Sequence, residues 1–294
     1  MPPEKGRLAV PLCRPVDHGG IGADQDMEGN ALLTIDRYVK AQSLKEAYEL
    51  CQKRNNVVLG GMLWLKMQDR KVGVAIDLCG LGLDQITERE DAFEIGAMVS
   101  LRELEKHPGL NELTGGAIAN SVERIVGVQF RNCATVGGSV FGRFGFSDVL
   151  TLLMALGARV ELYHAGEMTL ADFRESGISR DILTKVIVPK GVTGAVYLSQ
   201  RNSATDFPLL ACAIVRREEE YRVAVGARPM AAQVYADERG LLAGGITREI
   251  AQAFALELSQ RVELGGNALS SEEARRALCP VLIRRGLLKL EGVE

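Results

Sequence analysis

The 294-residue chain is poor in aromatic residues, with one tryptophan, six tyrosines and eight phenylalanines, and it holds only three histidines. It has no excess of positive charge either: 35 Lys and Arg stand against 38 Asp and Glu, a formal net charge of -3. Phosphate backbones are bound by basic surfaces interleaved with stacking rings, so this balance speaks against nucleic acid as a partner. The six cysteines, Cys13, Cys51, Cys79, Cys133, Cys212 and Cys279, lie far apart with no CxxC pair. No zinc or iron-sulfur site is therefore written locally, and the thiols read as reduced, mostly buried groups of a cytoplasmic protein. Long hydrophobic runs are missing too. The longest, VLTLLMAL at 149 to 156, falls well short of the roughly 20 residues that span a bilayer, and the opening MPPEKGRLAVPLCRP does not resemble a secretory signal, so no membrane partner is expected. There is no GxxxxGK[ST], and CGLGLD at 79 to 84 fails GxGxxG, which argues against a P-loop or an ordinary Rossmann unit.

What is present is an ordinary globular balance, 47% hydrophobic and 25% charged, in a chain long enough for two or three subdomains. Residues 1 to 33 carry no helical or strand period and read as an N-terminal arm. A first subdomain is expected over 34 to 90: Ser43 with Glu46 opens a helix, VVL at 57 to 59 is a short buried strand, and Gly60-Gly61 turns into MLWLKM. A second subdomain, 91 to 190, contains a helix opened by Ser100 with Glu103, a helix over about 111 to 126, and a helix from Ser147 and Asp148 to a stop at Gly157. The strands RVELYH and LTKVIVP follow it. In a C-terminal domain, 191 to 294, FPLLACAIVRR and YRVAVGARP form an antiparallel hairpin about REEE, followed by helices near 248 to 258 and 270 to 285.

Two glycine pairs follow apolar segments, LGGML at 59 to 63 and TVGGSV at 135 to 140. Such pairs can take positive φ and bring backbone N–H groups to a ligand with no Cβ in the way, a concavity suited to an anion such as a dinucleotide pyrophosphate. A single pair among 32 glycines is more often turn punctuation than a site.

The fuller constellation is Arg131, Asn132, Ala134, Thr135, Gly137 and Gly138, with Ser147-Asp148 ten residues on. Taken with VVLGGMLWL at 57 to 65, IGAMVSLREL at 95 to 104, VIVP at 186 to 189 and TDFPLLACAIV at 205 to 215, it resembles the FAD-binding subunits of the molybdenum hydroxylases, the xanthine dehydrogenase, carbon monoxide dehydrogenase and aldehyde oxidase family. That family's pattern runs AGGTDL, IGAxxxLxxL, xRNxATxGGN and a later aspartate. The resemblance implies an α+β fold of the vanillyl-alcohol-oxidase type: two subdomains gripping FAD, then a C-terminal domain with a three-stranded antiparallel sheet and helices. It implies an electron-transfer role between iron-sulfur clusters, FAD and NAD or another acceptor, with a molybdopterin-binding large subunit and a [2Fe-2S] small subunit as partners.

Carried over position by position, Leu59, Gly60, Gly61, Met62, Leu63 and Trp64 would wrap the pyrophosphate through backbone amides. Thr135, Val136, Gly137, Gly138 and Ser139 would form a second cradle. Asp148 would accept from the adenosine side, although it also suits a helix N-terminus by charge alone. Ile125 and Leu183 would line the cofactor, or simply pack in a core, and Phe207 would stand beside the isoalloxazine ring. No residue pattern marks a proton-transfer catalyst or a metal site, and His18, His107 and His164 read as surface groups. The sequence departs from the family in placing Met62, Leu63 and Trp64 after the first glycine pair, Ser139 where asparagine is usual, and Leu198 or Ser199 where many relatives have lysine. Those departures keep open a competing expectation, a structural or regulatory protein that retains the fold without tight flavin binding.

Overall fold

The computed structural model describes residues 33 to 218 and 220 to 293; the expected N-terminal arm, with Cys13 and His18, lies outside the described residues. The first sheet is wholly parallel, in the order β1-β3-β2. β1 (Thr34–Lys40) leads into α1 (Leu44–Cys51), β2 (Val57–Leu59) and the central β3 (Lys71–Asp77). Ser43 caps α1 by accepting from the Glu46 N–H, while the Glu46 carboxylate reaches back to the N–H of Gln42 rather than of Ser43. β3 holds the middle because Val72, Val74, Ala75 and Ile76 are all buried, as a strand flanked on both edges requires.

The second sheet is antiparallel, ordered β4-β5-β8-β6-β7. β4 (Ile86–Glu88) and β5 (Ala92–Gly96) precede a run of short helices: α2 (Leu101–Lys106), α3 (Pro108–Leu113), α4 (Ala117–Val122), α5 (Val128–Cys133) and α6 (Val136–Phe141). β4 lies before residue 90 yet pairs with β5. The helix read over 111 to 126 is divided in the structure, because Gly115 and Gly116 take φ of 56° and 82° and end α3 before α4 begins. The Ser100–Glu103 capping box is complete in both directions. α7 (Asp148–Ala155) follows, capped by Ser147, and Gly157 ends it at φ 66°. All eight residues of α7 are buried, the signature of a helix apolar on every side, and it packs on both the second sheet's helices and the third sheet. β6 (Arg159–Leu162), β7 (Gly166–Thr169), α8 (Leu170–Glu175) and β8 (Leu183–Pro189) complete this layer.

The third sheet is antiparallel, ordered β12-β11-β10-β9. β9 (Gly194–Gln200), β10 (Leu210–Arg217) and β11 (Glu220–Gly226) are joined at one edge by the short β12 (Gln233–Ala236). It therefore has four strands where the resemblance implies three. β10 is buried on both faces, one against α7 and the other against α10 (Glu272–Leu290), which packs on α9 (Arg248–Arg261). Gly226 permits the approach of β11 to α7, since a Cβ there would fall 2.0 Å from Thr151 Oγ1. Among the described residues, no helix is long and apolar enough to cross a membrane.

Candidate functional site

Three loops border one cavity of about 690 Å3, within the range that holds small ligands and cofactors. The first loop leaves β2 at Leu59 and runs through Gly60, Gly61, Met62, Leu63 and Trp64 into the 3-10 turn Leu65–Met67. The second is the entry to α6, and the third joins β9 to β10 and carries Phe207. Of the residues singled out in the sequence, Leu59, Gly60, Gly61, Met62, Leu63, Trp64, Ile125, Thr135, Gly137, Gly138, Ser139, Asp148, Leu183 and Phe207 all line this cavity. Val136 does not: it is fully buried in the main core.

The glycine pairs serve proximity rather than unusual backbone angles. None of the four has positive φ; the left-handed residue is Met62, at φ 59°. A Cβ on Gly61 would fall 2.1 Å from the Cys133 carbonyl oxygen, and one on Gly60 would fall 2.7 Å from Thr135 Oγ1. The two loops thus touch through bare backbone, and any side chain at either glycine would force them apart. Gly137 is needed on the opposite side, where a Cβ would fall 2.6 Å from the Ala97 carbonyl oxygen.

The two loops differ in which N–H groups they leave free. Among the described residues, the N–H groups of Gly60, Gly61, Met62, Leu63 and Trp64 donate to no protein acceptor. Partly buried donors without partners are costly unless water or a ligand takes them. In the second loop the N–H groups from Val136 to Ser139 are all engaged. Val136 donates to the Val99 carbonyl at 2.9 Å, Gly137 to Ala97 at 2.7 Å and Ser139 to Thr135 at 3.1 Å, and Gly138 donates to Thr135 Oγ1 at 3.1 Å. TVGGSV is the capped first turn of a helix, not an open turn. It offers the cavity the exposed backbone of Gly138 and the Thr135 hydroxyl, whose oxygen accepts from Gly138 while its hydrogen remains to donate.

Asp148, at the first position of α7, is buried. One carboxylate oxygen, Oδ1, accepts from both the Tyr197 hydroxyl and the Arg201 guanidinium. Burial nevertheless pushes the Asp148 pKa above the ordinary carboxylate value, with Arg201 and Tyr197 opposing it. Burial, reinforced by the Asp148 charge, holds the Tyr197 phenol well above its usual range. Ile125 and Leu183 form apolar wall, Leu183 from the start of β8. Arg131, central to the sequence motif, does not line the cavity; it pairs with Glu105 at 2.7 Å and donates to the Ile125 carbonyl at 3.2 Å, holding the chain that bears Ile125.

Sequence reasoning missed Tyr197, Arg201, Phe144 and Phe146. The last two were visible as an FxF pair in GRFGFSD, just before the Ser147 cap of α7, and they line the cavity with Arg201. Tyr197 and Arg201 carry no local signal, because their partner is about fifty residues distant in sequence. Leu198 packs into the C-terminal core and the Ser199 hydroxyl accepts from Arg201 Nε at 3.2 Å. The cation lining this side of the cavity is Arg201.

A family model described as the FAD binding domain in molybdopterin dehydrogenase matches residues 33 to 191. The chain belongs to that family. Indole-3-acetaldehyde oxidase of Zea mays is 31% identical over 124 residues, which is 39% of this chain and 9% of that much longer protein. Quinoline 2-oxidoreductase from Pseudomonas putida 86 superposes with a TM-score of 0.78 at 19% identity, over 89% of this chain and 98% of the matched one. A carbon monoxide dehydrogenase from Hydrogenophaga pseudoflava, lacking the Mo-pyranopterin moiety of its molybdenum cofactor, gives 0.78 at 21% identity, over 87% and 97%. At these identities the two structures show the fold. The chain carries the FAD-binding domain of that family, and the site fits the cofactor: the free N–H donors of the first loop suit a pyrophosphate, and the cavity has both apolar walls and an aromatic end for a planar ring.

Proposed function

We propose that this chain is the electron-transfer subunit of a cytoplasmic molybdenum hydroxylase assembly, in which bound FAD would take electrons from the [2Fe-2S] clusters of a small subunit, themselves fed by a molybdopterin-binding large subunit, and pass them to NAD or another acceptor. The observation that carries this reading is the run of unpartnered N–H groups from Gly60 to Trp64, facing Thr135 and the bare backbone of Gly138 across one cavity.

In this reading the first loop holds the pyrophosphate by its N–H groups and the Thr135 hydroxyl adds a donor. Asp148 keeps Oδ2 to accept from a cofactor hydroxyl, since Oδ1 serves Tyr197 and Arg201. Ile125 and Leu183 exclude water along the cofactor, and Phe207 borders the ring end. Val136 contributes through the core rather than by contact. The protein supplies orientation and electrostatics, and the redox chemistry is the cofactor's own.

The competing reading, a structural or regulatory subunit without flavin, is prompted by the hydrophobic Met62-Leu63-Trp64. Met62 packs against the small core of Leu59, Val72 and Ala75, and Leu63 against the main core. Two of the three side chains are thus drawn into packing, which supports flavin binding. The test is purification from the native source with flavin and metal analysis. A yellow complex with two further chains, molybdenum and iron-sulfur clusters is expected. A colourless lone chain that cannot be reconstituted with excess FAD would overturn the proposal.

A further inference from the structure

Four aromatic side chains from three separate segments meet at one end of the cavity. Trp64 and Phe207 lie nearly parallel, with centroids 5.8 Å apart and an interplanar angle of 24°. Phe146 approaches Phe207 at 4.5 Å and stacks with Phe144 at 5.1 Å, and both phenylalanines flank Trp64, at 5.7 and 5.8 Å. All four line the cavity, yet Trp64 and Phe207 remain 38% and 41% exposed. A chain with only 5% aromatic residues has placed its single tryptophan in a half-open aromatic group. Exposed apolar surface of this kind marks a contact site, and a concave one marks a small-molecule contact.

We infer that the indole of Trp64 stacks against the isoalloxazine ring of FAD, making Trp64 a side-chain ligand of the ring and not only a backbone ligand of the pyrophosphate. The inference rests on the flavin reading above. Trp64 closes the run of free N–H groups, its own included, so a molecule whose pyrophosphate lies on that run meets the cluster with a group attached to that pyrophosphate. A tricyclic ring offers enough face to cover indole and neighbouring phenyl together, in the offset-stacked arrangement that aromatic pairs favour. Phe144 and Phe146 contact the indole at interplanar angles of 48° and 56° and Phe207 at 24°, so the indole is held before the ring arrives and little side-chain entropy is lost on binding.

The test uses the full chain, Trp64→Leu and Trp64→Phe, with FAD and ADP as probes and bound-flavin fluorescence as the readout. An indole in contact with a flavin quenches its emission by electron transfer, which a leucine or a phenyl does not. Wild type is expected to bind FAD in a dark form. Trp64→Leu should bind FAD about three- to tenfold more weakly, the loss of one stacking contact, and should bind it in an emissive form. Trp64→Phe should keep most of the affinity while also becoming emissive. ADP, which has the pyrophosphate but no isoalloxazine, should bind all three alike. Flavin bound by wild type with emission that Trp64→Leu leaves unchanged would overturn the Trp64 assignment alone. Equal loss of ADP and FAD affinity in Trp64→Leu would overturn it as well, by showing that the residue shapes the loop. Failure of wild type to bind FAD at all would remove the flavin reading and this inference with it.

Discussion

Arg201 and Asp148 form a buried ion pair, their side chains 5% and 6% exposed, that joins the end of β9 to the start of α7. The same guanidinium donates through Nη1 to the carbonyl of Asp206, the residue before Phe207. One side chain therefore sets both the carboxylate facing the cavity and the loop at its aromatic end.

Removing one partner of a buried pair strands the other charge, so Arg201→Met should cost about 3 to 5 kcal/mol of stability. The loss depends on pH. The folded pKa of Asp148 is already raised by burial, and without Arg201 it rises further. A raised carboxylate contributes its stability at low pH and loses it as pH climbs through the folded value. Denaturant melts of Arg201→Met should thus show a smaller deficit near about pH 5 than near about pH 8, and an equal deficit at both would contradict this account.

Gly61→Ala and Gly137→Ala both force a Cβ into a carbonyl oxygen, at 2.1 and 2.6 Å. Each should cost about 1 to 3 kcal/mol as overpacking, and Gly61→Ala should also weaken FAD binding because it parts the two loops. Gly244→Ala is the control, with nothing within 4 Å of its Cβ. Thermal melts and FAD titration of the three variants provide the comparison.

Met62 occupies the left-handed region at φ 59°, where β-branching is worst tolerated. Met62→Val should cost about 1 to 2 kcal/mol. Met62→Gly, which relieves the backbone but gives up packing against Leu59 and Val72, should stay within about 1 kcal/mol of wild type. If valine proves as benign as glycine in chemical denaturation, the loop does not hold this backbone in solution.

Glu94 lies between Lys185, at 3.0 Å, and Arg89, at 3.1 Å. Hydrogen bonding from Lys185, with help from Arg89, lowers its pKa below 4.5. Burial pulls Lys185 down, but Glu94 and Glu161 outweigh it and raise its pKa above 10.5. The pair therefore contributes fully between those two values, and its contribution fades as pH falls through the lowered pKa of Glu94 or rises through the raised pKa of Lys185. Glu94→Gln should cost up to about 1 kcal/mol at neutral pH and nothing once wild-type Glu94 is itself protonated.

The cysteines divide by burial. Burial pushes the Cys212 thiol far up and Cys279 to about 12, and it raises Cys51 as well. Cys79 and Cys133 are exposed, with Cys79 raised mainly by its hydrogen bond to Asp77. Among the cysteines of the described residues, iodoacetamide followed by mass spectrometry should label the exposed Cys133 and Cys79 first. Cys51, Cys212 and Cys279 should react only on unfolding, and early labelling of Cys212 would show that the C-terminal core is open.

Local pattern carried the elements that depend on neighbours in sequence. The caps at Ser43, Ser100 and Ser147, the stop at Gly157 and the β10–β11 hairpin were all readable, because capping, turn chemistry and apolar periodicity act over a few residues. The order of LGGML, FRNCATVGGSV and Asp148 was enough to reach the family and its cofactor. The division of labour between the two glycine loops was not readable, and sequence alone suggested the opposite emphasis. TVGGSV has the family's residues, yet its N–H groups are taken by Val99, Ala97 and Thr135. LGGMLW departs from the family, yet its N–H groups are free. Whether a donor is free depends on where distant acceptors are brought by packing, as with Ala97 and Val99 against α6, and local composition does not encode that. The same holds for Arg201 on Asp148 and for Trp64 on Phe207: the residues were present in the sequence, but only the packing of β9 and its following loop against α7 and the first glycine loop made them one site.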